Sequence, residues 1–169
     1  MLLCLTSQNN NCLNISDAIE TEKFSSFMAD YIRNQLLKEN CEKFSFETVM
    51  SHPSKLDFIK KAKANGYKVY LYFVSLADPI MNVERVSARV ELGGHNVPED
   101  KIVNRYERTM GLLLDAIKLV DRAYFFDNSS DRMQFFAKYQ NKEVTYEEEC
   151  IPVWFKVYVE NKYSTNENV

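Results

Sequence analysis

Four arginines fall in two close pairs, Arg85 with Arg89 and Arg105 with Arg108, spaced i,i+4 and i,i+3. On a helix each pair would share one face, where like charges repel by about 0.2–0.5 kcal/mol. Two such pairs on either side of Gly93-Gly94 suit an anion such as phosphate, which a guanidinium grips as a planar fork. Glu84, Glu91, Glu99 and Glu107 lie close enough to absorb the same charges as solvated surface pairs, which are individually weak. His95, beside the two glycines, reads either as a switch or ligand or as a loop side chain bonded to backbone. Glu47, followed by Thr48, puts a carboxylate near the end of an apolar alternating run. Buried, it needs a partner, because an uncompensated carboxylate costs several kcal/mol; exposed, it caps the next loop. Asp127 and Asn128 close another apolar run.

The elements that would position these residues follow from periodicity and punctuation. Phe24, Phe27, Met28, Tyr31, Ile32 and Leu36 recur at helical spacing, so one amphipathic helix is expected from about Ser16 to Lys38. Phe44–Val49 alternates and is read as a strand. Ser54 to Ala64 reads as a helix closed by Asn65-Gly66, and Tyr67–Val74 as a strand buried on both faces. Asp78-Pro79 opens a helix to Val90, and Pro98-Glu99-Asp100 a longer one to about Val120. Arg122–Asp127 is a further core strand; Met133–Tyr139 and Glu143–Tyr146 form a hairpin about Asn141-Lys142, and Pro152 begins a short helix bearing Trp154 and Phe155. Leu2–Thr6 and Cys12–Ile15 read as a hairpin around an Asn-rich turn. Strands alternating with helices predict an α/β fold with a largely parallel sheet, whose chemistry sits at the strands' C-terminal ends. Tyr67, Tyr70, Tyr72, Phe135, Phe136, Trp154 and Phe155 lack interleaved basic residues and are read as core rather than as nucleic-acid stackers.

Scarce residues exclude whole classes of chemistry. The four glycines, Gly66, Gly93, Gly94 and Gly111, fit neither G-x-x-x-x-G-K-[ST] nor G-x-G-x-x-G. Two histidines, His52 and His95, rule out an H-E-x-x-H zinc site. Four scattered cysteines in 169 residues are too dilute for a disulfide scaffold and are expected as reduced thiols. A balance of 21 Lys+Arg against 24 Asp+Glu argues against a duplex-coating, nucleic-acid-binding protein. Met1-Leu-Leu-Cys-Leu5 has no basic flank and is too short for a signal peptide, and no run approaches a membrane span. The expected location is cytoplasmic.

Several segments together resemble a known family. They are Phe44-Ser-Phe-Glu-Thr-Val-Met-Ser-His-Pro-Ser-Lys55, Gly66-Tyr-Lys-Val-Tyr-Leu-Tyr-Phe-Val74, and Asn82-Val-Glu-Arg-Val86 with Arg89-Val90. Gly93-Gly-His-Asn-Val-Pro-Glu-Asp-Lys-Ile102, Arg105-Tyr106 and Asp121-Arg-Ala-Tyr-Phe-Phe-Asp-Asn-Ser129 complete the set. Over about residues 16–162 the chain resembles the zeta-toxin-like P-loop kinases. That resemblance implies a single three-layer P-loop NTPase-like domain with a parallel sheet, a C-terminal hairpin and a short helix. It implies ATP- and Mg²⁺-dependent phosphorylation of a small molecule of the UDP-amino-sugar type. Carried over by position, Arg89 and Arg105 match lid arginines that neutralise the transferring phosphate. Glu47 and Thr48 match a substrate-facing strand end, and Asp127 and Asn128 lie near the nucleotide. Arg85, Gly93, Gly94, His95 and Arg108 surround the lid. The departure is the phosphate loop, which no glycine pair here supplies. The domain is therefore expected to be incomplete at its N-terminus and inactive as written, or else a non-catalytic module that binds an anion, a nucleotide or a partner. Open sheet edges left by the absent strand would promote self-association.

Overall fold

The computed structural model describes residues 15–39 and 41–162, with the backbone alone for 15–23. The hairpin expected from Leu2 onward lies outside the described residues, apart from Ile15, which opens a helix. The chain divides into two compact units, Met1–Thr48 and Val49–Val169.

In the first unit, α1 runs from Ile15 to Lys38 as its apolar spacing predicts. Its end is tied by Glu39 N–H to the Gln35 carbonyl and by Cys41 N–H to that of Leu36, at 2.8 and 3.1 Å. Arg33 pairs with Asp30 and lies 4.8 Å over the ring of Phe46. Phe24 and Phe27, each 64% exposed, show that spacing alone does not bury a helix face. Phe44–Val49, expected as a strand, belongs to no strand of the described sheet. Alternation supplies propensity, but a strand is defined by its ladder, and just beyond this segment Met50 adopts φ 56° and turns the chain.

The second unit is a mixed α/β domain. Helix α2 spans Ser54–Ala64, β1 Tyr70–Ser75, α3 Pro79–Glu91, α4 Glu99–Leu119 and β2 Arg122–Asp127. Strands β3 (Gln134–Gln140) and β4 (Glu143–Tyr146) follow, then α5 (Val153–Phe155), which continues as a π-helical turn over Lys156–Glu160. Helix α2 closes on Gly66 at φ +82°, with Gly66 N–H on the Lys63 carbonyl and Tyr67 N–H on that of Ala62. That closure captures Tyr67, so β1 begins at Tyr70 rather than at Tyr67.

The sheet order is β1-β2-β3-β4. Only β1 and β2 are parallel, in register Tyr72↔Tyr124; β2/β3 and β3/β4 are antiparallel. The largely parallel sheet is thus corrected for the described strands: β2 and β3 are joined by a short loop and β3 and β4 by Asn141-Lys142, connections too short for a crossover. One cluster binds sheet and helices, with Phe73, Ala123, Phe125 and Phe136 from the strands, Met110, Leu113 and Ile117 from α4, and Trp154, Phe155 and Val159 from the C-terminal segment. Phe136, Trp154 and Phe155 are core as expected, but Tyr70, Tyr72 and Val74 are 46, 66 and 48% exposed on the opposite face. That corrects the reading of β1 as buried on both faces. Tyr72 instead stacks on Tyr124 at 5.0 Å.

Asp121 locks the start of this sheet. It accepts from Lys63 Nζ on one oxygen and from Val69 N–H on the other, both at 2.8 Å. The Lys63 hydrogen bond first, then that of Val69, hold its carboxyl below the usual carboxylate range. A lowered folded-state value means stability that is present above the unfolded pKa of about 3.9 and lost as pH falls through the folded one. Asp121→Asn should therefore lower the urea midpoint at neutral pH and converge on wild type in acid. Parallel midpoint curves across that range would contradict the assignment.

Candidate functional site

The C-terminal ends of β1 and β2 meet beneath the α3–α4 hairpin. Asn128 N–H donates to the Ser75 carbonyl, and Ala77 N–H to Ser129 Oγ, at 2.9 and 2.8 Å. Asp127 is fully engaged: Oδ1 accepts Ser129 N–H at 2.9 Å and Oδ2 accepts the Trp154 indole N–H at 2.8 Å. Its carboxylate thus bridges the loop after β2 to the core and shapes the site through that loop. Arg85 reaches from α3 to the Asn128 carbonyl at 2.5 Å, so helix and strand end are joined by a charged donor.

Helix α3 starts where Asp78 Oδ1 accepts Met81 N–H at 3.1 Å, with Pro79 in its first turn. It ends in a tight closure with Gly93 at φ +82°, Gly93 N–H on the Val90 carbonyl and Gly94 N–H on that of Arg89, both at 2.9 Å. A Cβ on Gly94 would stand 2.6 Å from Arg89 Cγ and 2.7 Å from its carbonyl oxygen, so this position admits no side chain without displacing Arg89. The Arg89 guanidinium returns over the turn to the His95 carbonyl at 3.1 Å. His95 thus takes part through its backbone, with an exposed side chain. Helix α4 packs on α3 and carries Arg105, partly buried, and Arg108, whose Nε donates to the Asn104 carbonyl of its own helix at 3.0 Å.

The structure therefore joins Arg85 with Asn128, and Arg89 with Gly94 and His95, and it turns Arg108 back onto α4. Glu47 and Thr48 lie in the first unit, both exposed. Tyr106, which enters the sequence reading only as part of the Arg105-Tyr106 segment, is given no role there. It is partly buried and donates to the Leu76 and Ala77 carbonyls at 3.2 and 3.3 Å. Burial pushes its hydroxyl up to about 12, aided by Asp78 and Asp127 and partly offset by a hydrogen bond with Ser75. It is a fixed neutral donor under the strand ends. The apolar stripe Tyr106, Met110, Leu113 on α4 signalled its burial, though not what its hydroxyl would meet.

A four-stranded sheet with strand ends gathered under an arginine-bearing helical hairpin is a mixed α/β domain consistent with the P-loop-like class. The family model described as Zeta toxin matches residues 13–148, well over half of the chain. The chain belongs to the zeta toxin family. Over 63 residues it is 36% identical to an uncharacterized protein of Haemophilus influenzae, a match that covers 37% of this chain and 45% of that relative. The chain thus spans less than half the length of the relative it matches. No solved structure matches. No helix among the described residues is long and apolar enough to cross a membrane.

Proposed function

We propose that this chain is the anion-handling part of a P-loop-kinase-type domain. Arg89 and Arg105 neutralise a bound phosphoryl group, and Asn128, held by Asp127 and Arg85, lies near the nucleotide; by family position alone, Glu47 and Thr48 of the first unit are the residues that would meet a small-molecule substrate of the UDP-amino-sugar type. One observation carries this reading: the glycine-closed turn at the end of α3 holds the Arg89 guanidinium on the His95 carbonyl and excludes a side chain at Gly94. Charge stabilisation of this kind is most of what phosphoryl transfer asks of a protein.

The glycine spacing favours a second reading, a non-catalytic module that keeps the anion pocket. Both readings require the arginine site. Phosphate or ATP should raise the melting temperature of the wild-type chain by linkage, and Arg89→Ala/Arg105→Ala should remove the increment. An identical response in the double variant would remove the site.

A further inference from the structure

Trp154 does more than pack within the aromatic core. Its neighbours Phe73, Phe136 and Phe155 are wholly apolar, whereas Trp154, 2% exposed, carries an indole N–H that needs an acceptor when buried. Those three rings, at 5.7, 5.6 and 5.7 Å, fix the direction of that N–H. It donates at 2.8 Å to Asp127 Oδ2, at the end of β2. A phenylalanine here would keep a ring in the cluster and leave a partly buried carboxylate short of one charge-assisted bond. Asp127 passes the constraint on. Its Oδ1 accepts Ser129 N–H, and Ser129 Oγ accepts Ala77 N–H from just beyond β1. Between these anchors Asn128 is tied at both backbone groups, its N–H on the Ser75 carbonyl and its own carbonyl taking Arg85. All of these residues belong to the second unit.

We propose that Trp154 is a positioning residue for nucleotide recognition. Through the Asp127 carboxylate it sets where Asn128 stands, and so how strongly the site prefers a nucleotide to bare phosphate. The proposal rests on the kinase-type reading and deepens it. Arginine charge grips any phosphate alike and gives no such preference. The Asn128 side-chain amide, with a donor and an acceptor side, is the group that can match the edge of a base. An amide discriminates only when it is held in place, and the bonds that hold this one lead back to the indole.

The test compares the dissociation constants of ATP and inorganic phosphate for the full chain, by titration calorimetry. Trp154→Phe should weaken ATP about fivefold or more, the lower end of energetic coupling between sites, and leave phosphate within about twofold. Asp127→Asn, which offers one acceptor oxygen in place of two, should move the ATP-to-phosphate ratio the same way. It should also change the fluorescence emission of Trp154, the one tryptophan in the sequence. Because both substitutions act on one bond, the double variant should bind ATP no worse than the weaker single variant. If circular dichroism shows Trp154→Phe unfolded, Asp127→Asn decides alone, on the ratio and the emission. Wild type that binds neither ligand overturns the kinase-type reading, and the proposal with it. Wild type that binds phosphate but holds ATP no more tightly overturns the proposal alone. So do losses that fall equally on both ligands, a ratio unmoved by either variant, or losses that add in the double variant.

Discussion

A polypeptide of these 169 residues is expected to transfer no measurable phosphate from ATP to a small-molecule acceptor. The expectation rests on the proposed kinase-type reading and on one arithmetic fact, that no two of its glycines have the spacing of a phosphate loop followed by Lys-Ser/Thr. That loop contributes the backbone N–H cradle, the lysine on the β/γ-phosphates and the hydroxyl on magnesium. Arg89 and Arg105 do not substitute for it. An arginine in such a reaction is worth about 10³–10⁵ in rate, but only toward a phosphate already held in line. A misplacement of about 1 Å costs roughly a hundredfold, and here the whole cradle is missing, so the loss should exceed what an assay can follow. The measurement is transfer of labelled γ-phosphate to sugar nucleotides and to water. Turnover that persists through purification and vanishes with Arg105→Ala would overturn the expectation. Phosphate binding without turnover would favour the non-catalytic module.

Phe155→Ala should be the most damaging single substitution in the core. Phe155 is fully buried, with its ring 4.8 Å from Phe125, 5.2 Å from Phe136 and 5.7 Å from Trp154. Truncation removes the hub of four aromatic rings and leaves a cavity, at about 3–5 kcal/mol. Against a total stability of about 5–15 kcal/mol, that is a third or more for a domain at the low end. Trp154 would loosen with it, and with Trp154 goes the donor that holds Asp127 and the loop carrying Asn128. The same experiment on Val153, which is 74% exposed two residues earlier, should cost under about 0.5 kcal/mol. Equal urea midpoints for Phe155→Ala and Val153→Ala would show that this cluster does not hold the unit together.

Local chemistry was legible wherever one residue's backbone preference settles the matter. Asp78-Pro79 starts α3 as the capping rules require, and Asn65-Gly66 and Leu92-Gly93 end their helices because only glycine takes φ +82° without strain. Helix α2 at Ser54–Ala64, β2 at Arg122–Asp127 and the hairpin about Asn141-Lys142 follow from periodicity and turn residues alone. The arginines were found as pairs because i,i+4 and i,i+3 spacing is a property of the chain. Their destinations were not. Arg85 meets a carbonyl 43 residues away, Arg89 folds over its own turn and Arg108 onto its own helix, according to which backbone acceptors packing brings near.

Residue preferences and spacing were enough for the helix limits, the turn sites and the family, and for the finding that no two glycines of these 169 residues have phosphate-loop spacing. Tertiary structure decided the rest. Phe44–Val49 alternates as well as any strand here, yet a strand exists only when a neighbour offers a ladder. Tyr70, Tyr72 and Val74 favour a buried strand as Phe73 does, and what separates them is which face of the sheet the helices cover. Asp127 reads alone only as a carboxylate at a strand end, but Trp154, 27 residues on, donates to one of its oxygens. Ladders, covered faces and distant hydrogen-bond partners are relations between remote parts of the chain, and no local preference encodes them.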